Sequence, residues 1–206
     1  VEDRVAVESV FHLYLNGRLV THLVASPAQL SELAVGFVVS EGLATRINSV
    51  AVAGSDLCVV APGVDGDDEW VVRSAGVGAS RTPPAVTSTA TVQAADVPGM
   101  IREIESEVWR QTGGVHCAVL FQGPQIAAKS CDIGRHNAVD KVIGHAVLNG
   151  IDLGQCVLGC TGRQPSGMVS KVAHAGIPIV LSKAATTCQG IDHPRGHRRQ
   201  GHQGVL

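Results

Sequence analysis

Residues 131 to 144 read Cys131-Asp132-Ile133-Gly134-Arg135-His136-Asn137-Ala138-Val139-Asp140-Lys141-Val142-Ile143-Gly144. Val139, Val142, Ile143, Ala146 and Val147 recur at helical spacing, so a helix follows Gly134 and has one apolar face to bury. Just ahead of it, Gly134, Arg135, His136 and Asn137 set a cation and several polar donors where the free amides of a helix start already attract anions. One segment therefore carries both scaffold and candidate anion pocket.

Working outward, the strand-like stretches at residues 115 to 121 and 125 to 130 precede this helix, and another at 155 to 160 follows it. That last strand breaks at Thr161-Gly162-Arg163 into a helix begun by Pro165 and Ser166 and ended by Gly176. A short β-branched strand at 177 to 181 leads to Lys183. Asp96 caps an expected long helix with Met100, Ile101, Ile104 and Val108 as its apolar stripe, stopped by Thr112-Gly113-Gly114. Helix, strand, strand, helix, strand, helix, strand implies a layered α/β unit with a mixed sheet whose later strands are parallel, since helical crossovers join them. Ligands of such sheets collect where strands end and helices begin. Gly134 to Asn137, Thr161 to Ser166 and Lys183 to Thr187 should then share one rim.

Upstream, residues 7 to 15 and 18 to 24 form a hairpin about Asn16-Gly17. Ser26, Pro27 and Gln29 read as a capping box opening a helix through Leu30, Leu33, Ala34, Phe37 and Val38 to Gly42. Short strands are expected at 49 to 53, 57 to 61 and 69 to 73. The division is a small α+β N-terminal domain at 1 to 73, a loop and linker at 74 to 95, the layered domain at 96 to 192, and a tail at 193 to 206 rich in His, Arg, Gly and Gln that has no apolar period and reads as disordered.

The chain has 206 residues, 45% of them hydrophobic, which is ample for a core. A net charge of -2 and 3% aromatic content argue against non-specific nucleic-acid binding. No apolar run is long enough to cross a bilayer, and no basic flank with a short apolar core opens the chain, so a cytoplasmic location is expected. The six cysteines, at 58, 117, 131, 156, 160 and 188, never take the two-residue spacing of a zinc knuckle or redox motif and read as buried free thiols.

Arg135 with His136, Arg163 with Ser166, and Lys183 with Thr186 and Thr187 form three recurrences of cation and donor at equivalent strand ends, pointing to a phosphate-bearing ligand. Neither the Gly-rich loop ending in Lys-Ser/Thr nor the dinucleotide fingerprint is present. A zinc deaminase would need His-x-Glu and Pro-Cys-x-x-Cys, whereas His136 is followed by Asn137 and Ala138, and Cys160 by Thr161, Gly162 and Arg163. No catalytic metal is expected. His116 reads first as a structural histidine, and Asp132 as either a cap or the orienter of a histidine.

Taken together, Asn16-Gly17, Glu32-Leu33-Ala34-Val35-Gly36-Phe37, Ser40-Glu41-Gly42, Thr112-Gly113-Gly114-Val115-His116, Asp132 through Lys141, Thr161-Gly162-Arg163 with Met168, Val169 and Lys171, and Ala175-Gly176-Ile177-Pro178 resemble the formate dehydrogenase accessory sulfurtransferases, the FdhD/NarQ family, over residues 7 to 192. The resemblance implies a small N-terminal domain beside a cytidine-deaminase-like α/β domain. It also implies a protein that takes persulfide sulfur from a cysteine desulfurase and passes it to the molybdenum or tungsten bis-guanine-dinucleotide cofactor of formate dehydrogenase, with a homodimer as a further expectation. Carried over by motif, the cofactor-binding set is Gly114, His116, Asp132, Gly134, Arg135, His136, Asn137, Lys141, Thr161, Gly162, Arg163, Ser166, Lys183 and Thr187.

Two departures follow from the same resemblance. The family's sulfur-carrying cysteine belongs in the run 74 to 80, where Val77 stands in its place, and valine forms no persulfide. Cys131, standing where the family has an acidic residue, is the substitute thiol to consider. The tail lacks the family's further helix and strand, as a shifted or truncated reading frame would. These departures leave open sulfur transfer through another thiol, a non-catalytic cofactor-binding chaperone, and a degraded family member.

Overall fold

Asn16 and Gly17 both adopt positive φ, 50° and 81°, the pair of left-handed residues that a two-residue hairpin requires. Strand β1 (Ser9–Leu15) therefore turns directly back into β2 (Arg18–Ala25). The Asn16 side chain also pairs with the backbone of Ala61 in both directions, at 2.9 Å each, which ties the turn to the end of the strand at Asp56–Val60. The computed structural model describes residues 5–64 and 82–192. The expected strand at 69 to 73, the run containing Val77 and the tail from 193 lie outside those residues.

The first sheet has the order β2-β1-β4-β3, with β3 at Ser49–Ala53 and β4 at Asp56–Val60. Helix α1 (Leu30–Ser40) covers it, with Leu33, Ala34, Phe37 and Val38 joining Phe11, Leu13, Leu15, Leu57 and Val59 in one apolar cluster. The expected capping box does not form. Gln29 is the N-cap, in the left-handed region at φ 54°, with no side-chain cap bond. Ser26 is instead committed to the second half of the chain.

The second sheet has the order β6-β5-β7-β8, from β5 (His116–Gln122), β6 (Gln125–Asp132), β7 (Cys156–Cys160) and β8 (Ile179–Ser182). Pairing of β5 with β6 and with β7 is antiparallel, and that of β7 with β8 is parallel. Strands β6, β7 and β8 thus run in one direction, as the helical crossovers require. On one face lie α4 (Arg135–Leu148) and α5 (Ser166–His174), whose Ala138, Val139, Val142, Met168 and Val172 pack on Ala118, Leu120 and Leu158. The other face is covered from α2 (Val97–Glu103), where Met100 packs on Val119, Phe121 and Val157.

The long helix expected from residue 96 is two helices, α2 and α3 (Glu107–Thr112). Ser106 takes extended dihedrals and its Oγ accepts the Trp109 N–H at 3.0 Å, a new N-cap that ends the first helix and starts the second. Val108, assigned to the buried stripe by periodicity, is consequently exposed. A short helix α6 (Cys188–Asp192), absent from the sequence expectation, closes the described chain. Among the described residues no helix is long and apolar enough to cross a membrane.

The two sheets are joined through their helices. Gly36 of α1 faces Asp140 and Gly144 of α4 so closely that a Cβ on Gly36 would stand 1.7 Å from the Asp140 carbonyl oxygen, and one on Gly144 would stand 1.9 Å from that of Glu32. Only a glycine pair permits this approach of backbones.

Candidate functional site

The stretch from Asp132 to Lys141 divides into two sets of side chains with different work. Asp132 is fully buried. Its Oδ2 pairs with Lys141 Nζ at 2.6 Å and accepts the Ser26 N–H at 3.0 Å, while its Oδ1 accepts the Gly134 N–H at 2.8 Å and an Asn137 Nδ2 proton at 3.0 Å. Asn137 Nδ2 also donates to Val24 O, Lys141 Nζ donates to Ser26 O, and the Ile133 N–H donates to Ser26 Oγ. Asp132, Asn137 and Lys141 therefore fasten the end of β2 to the first turns of α4. The sequence expectation puts all three against a ligand, but the Asp132 carboxylate, the Lys141 ammonium and the Asn137 amide nitrogen are occupied by this clamp.

One turn further on, Asp140 makes a second buried cluster. Its carboxylate accepts from Lys171 Nζ at 3.0 Å to each oxygen and from Ser40 Oγ at 2.6 Å, and Lys171 reaches Glu41 at 2.7 Å. Burial works against the Lys171 ammonium, but Asp140 and Glu41 outweigh it and raise its pKa. A lone ammonium could not stay charged there.

What remains at the start of α4 is Arg135, His136 and the backbone. The amides of Arg135, His136 and Asn137 have no acceptor among the described residues, as expected of a helix's first turn. Gly162 lies against the Arg135 stem, since a Cβ there would stand 3.0 Å from Arg135 Cβ and 3.1 Å from its Cδ. The guanidinium has no ion pair among the described residues. His136 is held neutral: burial, with Lys171 and Arg135 behind it, pushes its pKa down to about 3. Its buried Nε2 has no hydrogen-bond partner among the described residues.

His116 stands beside this pair. Its Nδ1 is 3.2 Å from Thr161 Oγ1, which also accepts the Cys117 N–H at 3.0 Å. Burial, and then Arg135, lower the His116 pKa against an opposing pull from Asp132. Arg163 is exposed and has no ion pair among the described residues. Ser166 is the first residue of α5.

The chain ends after β7 and β8 adjoin through their backbones, while the start of α4 meets the loop after β7 through the Arg135 stem at Gly162. The Lys183 N–H donates to Cys160 O, the Thr187 N–H donates to Gln164 O, and Gln164 bridges Thr186. Their side chains diverge. Lys183 pairs with Glu105 and lies over the Trp109 ring on the α2–α3 side, and Thr187 Oγ1 accepts the Gly190 N–H. Gly114 is exposed next to Ala6, with its N–H on Thr112 Oγ1. The cationic rim that remains is Arg135 and Arg163, with Thr161, Gly162, His116, His136 and the open amides.

Cys131 does not face this rim. Side chains alternate along a strand, and Cys131 shares its face with Lys129, which reaches the carbonyls of Glu103 and Glu105 between α2 and α3, while Asp132 turns toward α4. Gln164, which sequence reasoning passed over, is buried and supports the loop after β7 by donating from Nε2 to Gly162 O and Cys160 Sγ, at 2.8 Å each. Nothing in its local sequence marks that role.

The FdhD/NarQ family model matches residues 6–197. The chain belongs to the FdhD/NarQ family. Protein FdhD of Methanocaldococcus jannaschii is 34% identical over 194 residues, covering 93% of this chain and 80% of that protein. The sulfur carrier protein FdhD of Bacillus subtilis is 31% identical over 209 residues, covering 91% and 79%. A crystal structure of a formate dehydrogenase accessory protein from Desulfotalea psychrophila superposes with a TM-score of 0.75 at 28% identity, covering 92% of this chain and 79% of that one. The resemblance read from the sequence is therefore established, together with the mixed α/β architecture and the family's place among formate dehydrogenase accessory and sulfur carrier proteins.

Proposed function

We propose that this FdhD/NarQ protein serves formate dehydrogenase maturation by binding the molybdenum or tungsten bis-guanine-dinucleotide cofactor through its phosphates at the rim between the start of α4 and the loop after β7. The observation that carries the reading is Arg135, whose stem lies against Gly162 next to three open amides and whose guanidinium has no ion pair among the described residues. An arginine in that setting offers bidentate donors to a phosphate while the helix start supplies partial positive charge. Lys141 and Lys183 are neutralised by Asp132 and Glu105, so anion affinity rests on Arg135 and Arg163.

Sulfur transfer from a cysteine desulfurase is the family reading's further step. Of the thiols, Cys160 is buried under α4, with its pKa raised by burial, and Cys131 faces away from the rim. Cys188, one residue past Thr187, is exposed. A cofactor-presenting chaperone needs none of them. Equilibrium dialysis against GDP and against guanosine tests the rim: GDP should be retained at least about tenfold more tightly, the value of roughly 1.4 kcal/mol of phosphate contact. Equal retention of the two would remove the phosphate-binding reading.

A further inference from the structure

Cys117 and Cys131 are direct cross-strand partners of β5 and β6, and their sulfurs are 3.0 Å apart. The Cys117 backbone spends both polar groups on the other side, its N–H on Thr161 Oγ1 and its C=O on the Thr161 N–H. The two cysteines are therefore a non-hydrogen-bonded antiparallel pair, for which Cα atoms sit about 4.5 Å apart. That spacing lies inside the roughly 4.4–6.8 Å range a disulfide bridges without moving backbone. A shared zinc would hold two thiolates farther apart, at roughly 3.8 Å for tetrahedral bonds of about 2.3 Å, and among the described residues no third ligand joins them.

The surroundings favour one thiolate. Cys117 Sγ is 3.1 Å from Ser106 Oγ, whose oxygen already accepts the Trp109 N–H and whose proton can turn to the sulfur. Lys129 Nζ is fixed nearby by the carbonyls of Glu103 and Glu105, at 2.5 and 2.8 Å. The bond from Cys131, helped by Ser106 and Lys129 against the cost of burial, brings the Cys117 thiol down to about 6, and the proton left on Cys131 is correspondingly harder to remove. Cys117 is 1% exposed and Cys131 is half-buried, so an outside reagent meets Cys131 first.

We propose that Cys117 and Cys131 form an oxidisable dithiol that closes to a cross-strand disulfide, with a low-molecular-weight disulfide as the oxidant. Cys131, deprotonated through the pair's shared proton, attacks one sulfur of R–S–S–R and displaces R–S⁻, leaving a mixed disulfide. Cys117 thiolate then attacks Cys131 Sγ and displaces the second R–S⁻. The two cysteine protons pass to the departing thiolates, and two electrons reduce R–S–S–R to two R–SH. The same attack would discharge a persulfide on Cys131 as hydrosulfide, the pair giving up two electrons to the outer sulfur as it closes to the disulfide, so it does not store sulfur. The inference does not depend on cofactor binding at the rim.

The test uses the full reduced chain with oxidised glutathione, acid quench, alkylation and peptide mapping. The expected product links the Cys117 and Cys131 peptides with loss of two hydrogens, while exposed Cys58 and Cys188 carry glutathione adducts. In Cys117→Ser, the adduct should persist on Cys131 instead of disappearing. A stable glutathione adduct on Cys131 in the unmodified chain, or an alkylatable Cys131 while Cys58 and Cys188 are glutathionylated, would overturn the proposal whether or not the variant folds.

Discussion

Asp132 and Arg135 lie three residues apart and serve opposite ends. The carboxylate is enclosed by Lys141, Asn137, Ser26 and Gly134, whereas the Arg135 stem lies against Gly162 and its guanidinium has no ion pair among the described residues. Their roles separate by mutation. Lys141→Met keeps the stem's apolar volume but leaves Asp132 charged and buried, so unfolding in urea should show a loss of about 3–5 kcal/mol. A midpoint within experimental error of the parent would mean that the clamp contributes nothing. Local pattern marked Gly134 and Arg135 because a helix start is a local feature. Asp132 and Lys141 share a further partner more than a hundred residues away, Ser26, and no periodicity reports it.

At the scale of elements, most strands were legible because alternation and turn residues are local: β3 falls where it was expected, and the Asn16-Gly17 hairpin has the dihedrals its residues demand. Helix starts were less so. Ser26 carries a good cap chemistry but is taken by Asp132, Ile133 and Lys141, and the start of α1 moves to Leu30. Glu105-Ser106 breaks the helix after residue 103 without glycine or proline, because Ser106 can cap a new helix as readily as continue an old one. The α1–α4 crossing yields its own prediction. Gly36→Ala gains helix propensity of up to about 1 kcal/mol, yet its Cβ meets the Asp140 carbonyl, and the overpacking should cost about 3 kcal/mol or more. Gly99→Ala, with open space around it, is the control, and thermal unfolding should leave it near the parent. A Gly36→Ala protein as stable as that control would show that the helices do not pack this closely.

Over the whole molecule, two sheets with separate apolar clusters are held together by the α1–α4 crossing and by buried ion clusters at Asp132 and Asp140. The family's most specific residues are thus used largely for assembly, and a short remainder faces the rim. Sequence reading expected the later strands to end at one edge of the sheet, and β6, β7 and β8 do run in one direction because helix crossovers join them. It could not foresee that Lys183 would turn to Glu105 across the sheet, nor that a bulge between Leu120 and Phe121 would bring Cys117 opposite Cys131. The central claim is that binding resides in Arg135 and stability in its neighbours. Calorimetric titration of GDP into the parent and into Arg135→Ala, with melting temperature recorded for both, tests it most directly. The account predicts saturable heat in the parent, affinity weakened at least about tenfold in the variant, and unchanged melting temperatures; undiminished affinity in Arg135→Ala, or no saturable heat from a well-folded parent, would contradict it.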